Sequence, residues 1–121
     1  MKKYHIGIEA TMDVISGKWK PLLLCYIQVG TNRNNEFLRA IPELSQKVLS
    51  EQLKQLEQDG IIKRTSYPEV PPRVEYSLTQ YGTTLTRILM ELCHWGEKHV
   101  QRLAQSDNPV ELEQTLTSQN N

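Results

Sequence analysis

Apolar residues recur along this chain at two periods. The spacing is helical to about residue 60, alternates like a strand to about residue 78, and then turns helical again. Residues 8–15 read as a short amphipathic helix with Ile8, Met12 and Ile15 on one side, broken by Ser16-Gly17. Lys18-Trp19-Lys20-Pro21 opens a second helix, because proline is tolerated in a first turn where no N–H partner is lost. Leu22, Leu23, Leu24, Cys25, Tyr26, Ile27 and Val29 make that helix apolar on most sides, which predicts the central buried helix. Gly30-Thr31-Asn32 ends it. Residues 33–41 predict a third helix, capped by Asn34 or Asn35, with Phe37, Leu38 and Ile41 facing the core.

Pro42-Glu43-Leu44 makes a tight connection into the stretch SQKVLSEQLKQLEQDGII (45–62). Ser45 is a good N-cap, since its hydroxyl can accept a hydrogen bond from a free N–H at the helix start. Leu49, Leu53 and Leu56 form one apolar stripe at i, i+4 and i+7, and Gly60 stands where a left-handed residue would end the helix. Gln46, Lys47, Ser50, Lys54 and Gln55 occupy the other face. Two short helices joined by such a turn, here about residues 34–59, are a helix-turn-helix. Two strands, 61–67 and 74–78, follow around a proline-stiffened tip. Thr79 then caps a long helix to about residue 103, with Leu85, Ile88, Leu89, Leu92, Trp95, His99, Val100 and Leu103 at helical spacing. That stripe is longer than a small domain can cover by itself, so a second copy is the simplest way to bury the remainder. Residues 106–121 are polar and expected to fray, with at most a short helix at 110–116.

With 121 residues and 14.0 kDa, the chain makes one domain, about residues 1–105, followed by the polar tail. The fold class is mainly α (α+β). Fourteen basic residues balance fourteen acidic ones, so the excess of positive charge typical of nucleic-acid binders is absent. The distribution is uneven, however: residues 1–80 hold 11 basic side chains against 9 acidic, which allows a local basic patch. No apolar run approaches the roughly 18 residues of a membrane span. Glu9 and Asp13 interrupt any signal-peptide core, and Cys25 and Cys93 lack metal-type spacing; together these predict a cytoplasmic protein with free thiols. His94 and His99, at i and i+5, lie on different helix faces, so no metal site or cofactor is expected. No glycine-rich phosphate loop, nucleophile–base set or isolated carboxylate pair suggests an enzyme. Trp19, Trp95, Tyr76 and Tyr81 fall at positions expected to pack in a core. The polar face of the 45–62 helix can be read as an ordinary solvated surface or as a base-reading surface, since Gln pairs with adenine and Lys with guanine or phosphate.

Three long motifs bear on that choice: GKWK (17–20), SQKVLSEQLKQLEQDG (45–60) and YPEVPPRVEYSLT (67–79). With LCHWGE near the end, they closely resemble the HxlR-type family of bacterial winged-helix transcription regulators, over residues 8–97. The resemblance implies a homodimer, expected to be a repressor. Terminal helices would form its interface, and the two 45–62 helices would enter successive major grooves of a palindromic operator about 34–36 Å apart. The residues agree: Gln46, Lys47 and Ser50 lie at the end of the helix that meets bases, with the capping Ser45 also in the DNA-binding set, and Lys54 lies one turn on at phosphate. Lys63, Arg64 and Arg33 become phosphate contacts, and Arg73, held out at the tip by two prolines, reaches the minor groove or the backbone. A winged helix serving only as a protein-interaction module is the alternative, favoured by the neutral net charge. Many members of the family sense electrophiles or oxidants through a cysteine near the N-terminus, a position held here by Ile6. Cys25 then reads as a buried hydrophobe and Cys93 as core or interface, with a redox role the lesser reading. A pocket between the dimerisation helices and the wing domain could hold a small apolar effector.

Overall fold

The computed structural model describes residues 1–117. Its elements run α1 (Gly7–Ile15), α2 (Trp19–Gln28), α3 (Asn34–Ala40), α4 (Gln46–Gln58), β1 (Ile62–Tyr67), β2 (Arg73–Leu78) and α5 (Gln80–Leu103). The strands pair antiparallel, from Ile62 opposite Leu78 to Tyr67 opposite Arg73. The loop before α3 runs along the free edge of β2, where the Asn32 carbonyl accepts the Tyr76 N–H at 2.8 Å. Leu23 and Leu24 of α2, Phe37 of α3 and the α4 leucines build one core, closed by Ile62, Tyr76 and Leu89.

The α3–α4 turn is anchored by its own apolar residues. Ile41 and Leu44 are buried at either side of Pro42-Glu43, and the Leu44 N–H donates to the Ile41 carbonyl at 3.0 Å. Ser45 caps α4 as its sequence suggests, accepting the Val48 N–H at 3.1 Å. At the other end Gly60 takes φ +74°, a left-handed value that costs other residues energy. The turn it makes lets Ile61 N–H reach the Leu56 carbonyl and Gly60 N–H reach that of Glu57, each at 3.0 Å.

A second glycine sets how close α5 can come. A Cβ on Gly82 would lie 2.0 Å from the Ile61 carbonyl oxygen, so only hydrogen fits where the first turn of α5 crosses the root of the wing. Thr79 fixes that crossing from both sides. Its Oγ1 accepts the Gly82 N–H at 2.9 Å and donates to the Gly60 carbonyl at 2.6 Å. One turn on, the fully buried Thr86 hydroxyl donates to Gln28 Oε1 at 2.6 Å and locks α5 to α2.

Three expectations are revised. The cap of α3 is neither Asn34 nor Asn35. Extended backbone at Arg33 precedes the helix, and the Glu36 carboxylate accepts the N–H groups of Asn32 (3.0 Å) and Arg33 (3.1 Å). Those bonds hold the Glu36 carboxyl below the usual carboxylate range. Trp95 and Tyr81 do not enter the core, because they lie on the exposed side of α5. Trp95 instead stacks on His99, with ring centroids 5.0 Å apart. Finally, residues 110–116 form no helix, but the stretch 114–117 is held rather than frayed. Glu97, only 4% exposed, accepts the Leu116 N–H at 2.7 Å and the Thr117 N–H at 3.1 Å. The Tyr26 hydroxyl donates to Gln114 at 3.0 Å, and Leu116 packs on the core. The rest of the expected tail, 118–121, lies outside the described residues.

Candidate nucleic-acid interface

The orientation of α4 follows from three side chains. Leu49, Leu53 and Leu56 are at most 1% exposed and fix the helix against the core, which leaves Gln46, Lys47, Ser50 and Lys54 pointing outward and exposed. Gln46 Nε2 donates to Ser50 Oγ at 2.9 Å, so these two form a polar pair at the first turn. Ser45 Oγ is engaged as a cap acceptor but retains its proton to donate outward. The surface is therefore neutral donor and acceptor groups near the N-terminus of the helix, with ammonium groups on and beyond that turn.

The wing cations are arranged less uniformly than their sequence suggests. Lys63 and Arg64 are both exposed, but adjacent strand residues point to opposite faces. Lys63 lies opposite Ser77 and Arg64 opposite Tyr76, and Arg64 Nη1 donates to Ser66 Oγ at 3.0 Å on its own face. Arg73 departs furthest from expectation. Rather than projecting from the tip, its guanidinium lies 3.9 Å over the Tyr67 ring, across the last ladder pair. It is also ion-paired at 2.8 Å to Glu69 and at 2.8 Å to Glu75. The same Glu75 oxygen accepts from Arg33 Nη2 at 3.3 Å. Two arginines and two glutamates thus close a charge-balanced clasp between the start of α3 and the wing. It borders a cleft of about 590 Å³ that also includes Asn34 and Pro72. Glu69, Glu75 and Tyr67 were not singled out from the sequence. The signal was present, since strand alternation puts Arg73 and Glu75 on one face.

The thiols sit away from this surface. Burial pushes Cys25 up to about 11, with Cys93 nearby adding to the shift. Cys93 is partly buried; burial first and the Glu97 carboxylate second raise it, and its Sγ donates to Glu97 Oε2 at 3.8 Å. Among the described residues no three His, Cys, Asp or Glu side chains converge as a metal would need. Nor is any helix among them long and apolar enough to cross a membrane.

A helix-turn-helix with a polar outer face, followed by a two-stranded wing and a long terminal helix, defines a winged-helix DNA-binding domain. Residues 14–117 match the family model of the HxlR-like helix-turn-helix, and the chain belongs to that family. It is 49% identical over 102 residues to the uncharacterised HTH-type transcriptional regulator YtcD of Bacillus subtilis, covering 84% of this chain and 81% of that one. Among solved structures it resembles the redox regulator HypR in its oxidised form, with TM-score 0.72 and 48% identity, covering 75% of this chain and 94% of that one. A transcriptional regulator of the MarR family from Enterococcus faecalis V583 superposes with TM-score 0.69 at 44% identity, covering 81% and 89%. The protein is a transcriptional regulator built on a helix-turn-helix DNA-binding domain, and its relatives are regulators rather than enzymes.

Proposed function

We propose that this regulator binds a palindromic operator as a homodimer in the bacterial cytoplasm and represses transcription by occupying it. The observation that carries the reading is the outward polar face of α4, whose direction is fixed by three leucines that solvent does not reach. In this reading Gln46, Lys47 and Ser50, with Ser45 beside them, meet base edges in the major groove, while Lys54, Lys63, Arg64 and Arg33 meet phosphates. Arg73 belongs to the wing contact through the clasp described above, not as a free arm.

The dimer is supported by what α5 leaves uncovered. Ile88, Leu92 and Trp95 are 56%, 59% and 66% exposed at i, i+4 and i+7, one continuous apolar strip. Ile8 and Met12 of α1 are likewise exposed. The two helices meet at a cleft of about 430 Å³ lined by Val14, Ile61, Tyr81, Leu85 and Ile88, a suitable place for a small apolar effector. HypR is a redox regulator; in this chain Ile6 stands in place of the family cysteine, and both thiols present are pushed toward the protonated, unreactive form.

The test is an anisotropy titration of the protein against genomic fragments and a scrambled control across a salt series. Selective binding of a palindrome, with log affinity falling steeply in log salt, is the expected result. Absence of binding to any duplex at low salt would overturn the reading.

A further inference from the structure

A cation meant to hold phosphate would be expected to stand unpaired, yet Arg73 at the tip of the wing and Arg33 at the start of α3 are both neutralised. Glu75 is the hinge of that arrangement. One of its oxygens bridges Arg73 Nη1 at 2.8 Å and Arg33 Nη2 at 3.3 Å, joining β2 to the start of α3. Its side chain is 21% exposed, the most sheltered of the four charged groups. Glu69 completes the clasp, accepting from Arg73 Nε at 3.0 Å and Nη2 at 2.8 Å. Tyr67 supports the guanidinium from below at 3.9 Å. Two positive and two negative charges cancel within a few ångströms. To a passing duplex the tip is electrically quiet.

We propose that Glu75 is a specificity-determining residue, holding Arg73 and Arg33 away from DNA backbone until a correctly seated duplex brings phosphate close enough to compete for them. This rests on the DNA-binding reading above. Its physical basis is that sequence-independent binding is almost wholly electrostatic, so every cation presented freely raises affinity for any duplex. Base contacts from α4 seat the operator at a fixed distance from the wing, whereas a random duplex is seated loosely. In the first case phosphate meets the arginines at bonding distance and competes with the glutamates; in the second the carboxylates keep them and repel the backbone. The clasp therefore lowers affinity for the wrong DNA more than for the right one, and it fits a chain whose net charge is zero.

The experiment compares wild type, Glu75→Gln and Glu75→Gln/Arg73→Gln on the selected operator and on a scrambled duplex, from about 50 mM to about 200 mM salt. Glu75→Gln is expected to tighten scrambled-duplex binding about three- to tenfold and to steepen its log–log salt slope by about 0.9 per phosphate gained. Operator affinity should change less, so discrimination falls, and the double variant, which leaves only Arg33 released, should bring the slope part of the way back toward wild type. Should Glu75→Gln unfold at assay temperature, Glu69→Gln releases Arg73 from the exposed side of the clasp and should move the slope in the same direction. A glutamine variant that binds the scrambled duplex no better, with an unchanged slope, would overturn the proposal and leave Glu75 a brace for the wing. Failure of the wild type to bind any duplex would overturn the DNA reading itself, and the clasp's role with it.

Discussion

Cys25 and Cys93 lie on helices that pack together, α2 and α5, and their surroundings decide what they can do. A thiol must ionise to attack an oxidant, and burial lifts Cys25 to about 11, so its thiolate becomes appreciable only as pH approaches that value. Cys93 is less buried, but the adjacent Glu97 carboxylate disfavours a second negative charge, and its pKa also rises. At neutral pH both remain thiols. DNA binding is accordingly expected to survive mild peroxide, and Cys93→Ser should behave as wild type in the same titration. Release from DNA by oxidant, abolished by Cys93→Ser, would show that Cys93 is a sensor after all.

At the scale of elements, the crossing of α5 over the wing root is the tightest joint in the fold. Gly82→Ala puts a methyl group 2.0 Å from the Ile61 carbonyl, and α5 can move off only by stretching the Thr79 bonds to Gly60 and Ile61. The expected loss is about 3 kcal/mol in chemical denaturation, at the upper end for overpacking; a change within about 0.5 kcal/mol, the range of neutral surface substitutions, would mean the joint is looser than its geometry. The limits of α4 and α5 could be read from the sequence because Ser45, Gly60 and Thr79 carry their capping chemistry in their own side chains or backbone. The start of α3 could not, since the side chain that fixes it, Glu36, lies inside the helix and reaches back to accept the N–H groups of Asn32 and Arg33 just ahead of it. The strap at 114–117 was also hidden. It depends on Glu97, about twenty residues earlier, and no local pattern connects the two. The outward polar residues of α4 were legible because one helix face carries them all. The share of Arg33 in the clasp was not, because its partner Glu75 lies 42 positions further along the chain.

For the molecule as a whole, a dimer formed along the α5 strip and a palindromic operator, both proposed above, would be two aspects of one symmetry. A two-fold dimer places two α4 helices one helical turn of DNA apart, about 34–36 Å. Leu92→Asp introduces a charge into the middle of that strip at a position 59% exposed in the isolated chain, so the fold should survive while association fails. A monomer by sedimentation, with operator affinity reduced by about a hundredfold or more through lost bivalency, is expected. An unchanged dimer would move the interface elsewhere.

The most direct measurement of the central claim, that α4 reads bases, is the affinity of Gln46→Ala for operator and for scrambled duplex under one salt condition. Gln46 stands exposed on the first turn of α4, paired with Ser50. A base contact there makes the substitution cost about 1–3 kcal/mol on the operator and leave the scrambled duplex unaffected. Equal losses on both duplexes, or none on either, would contradict base reading by this face.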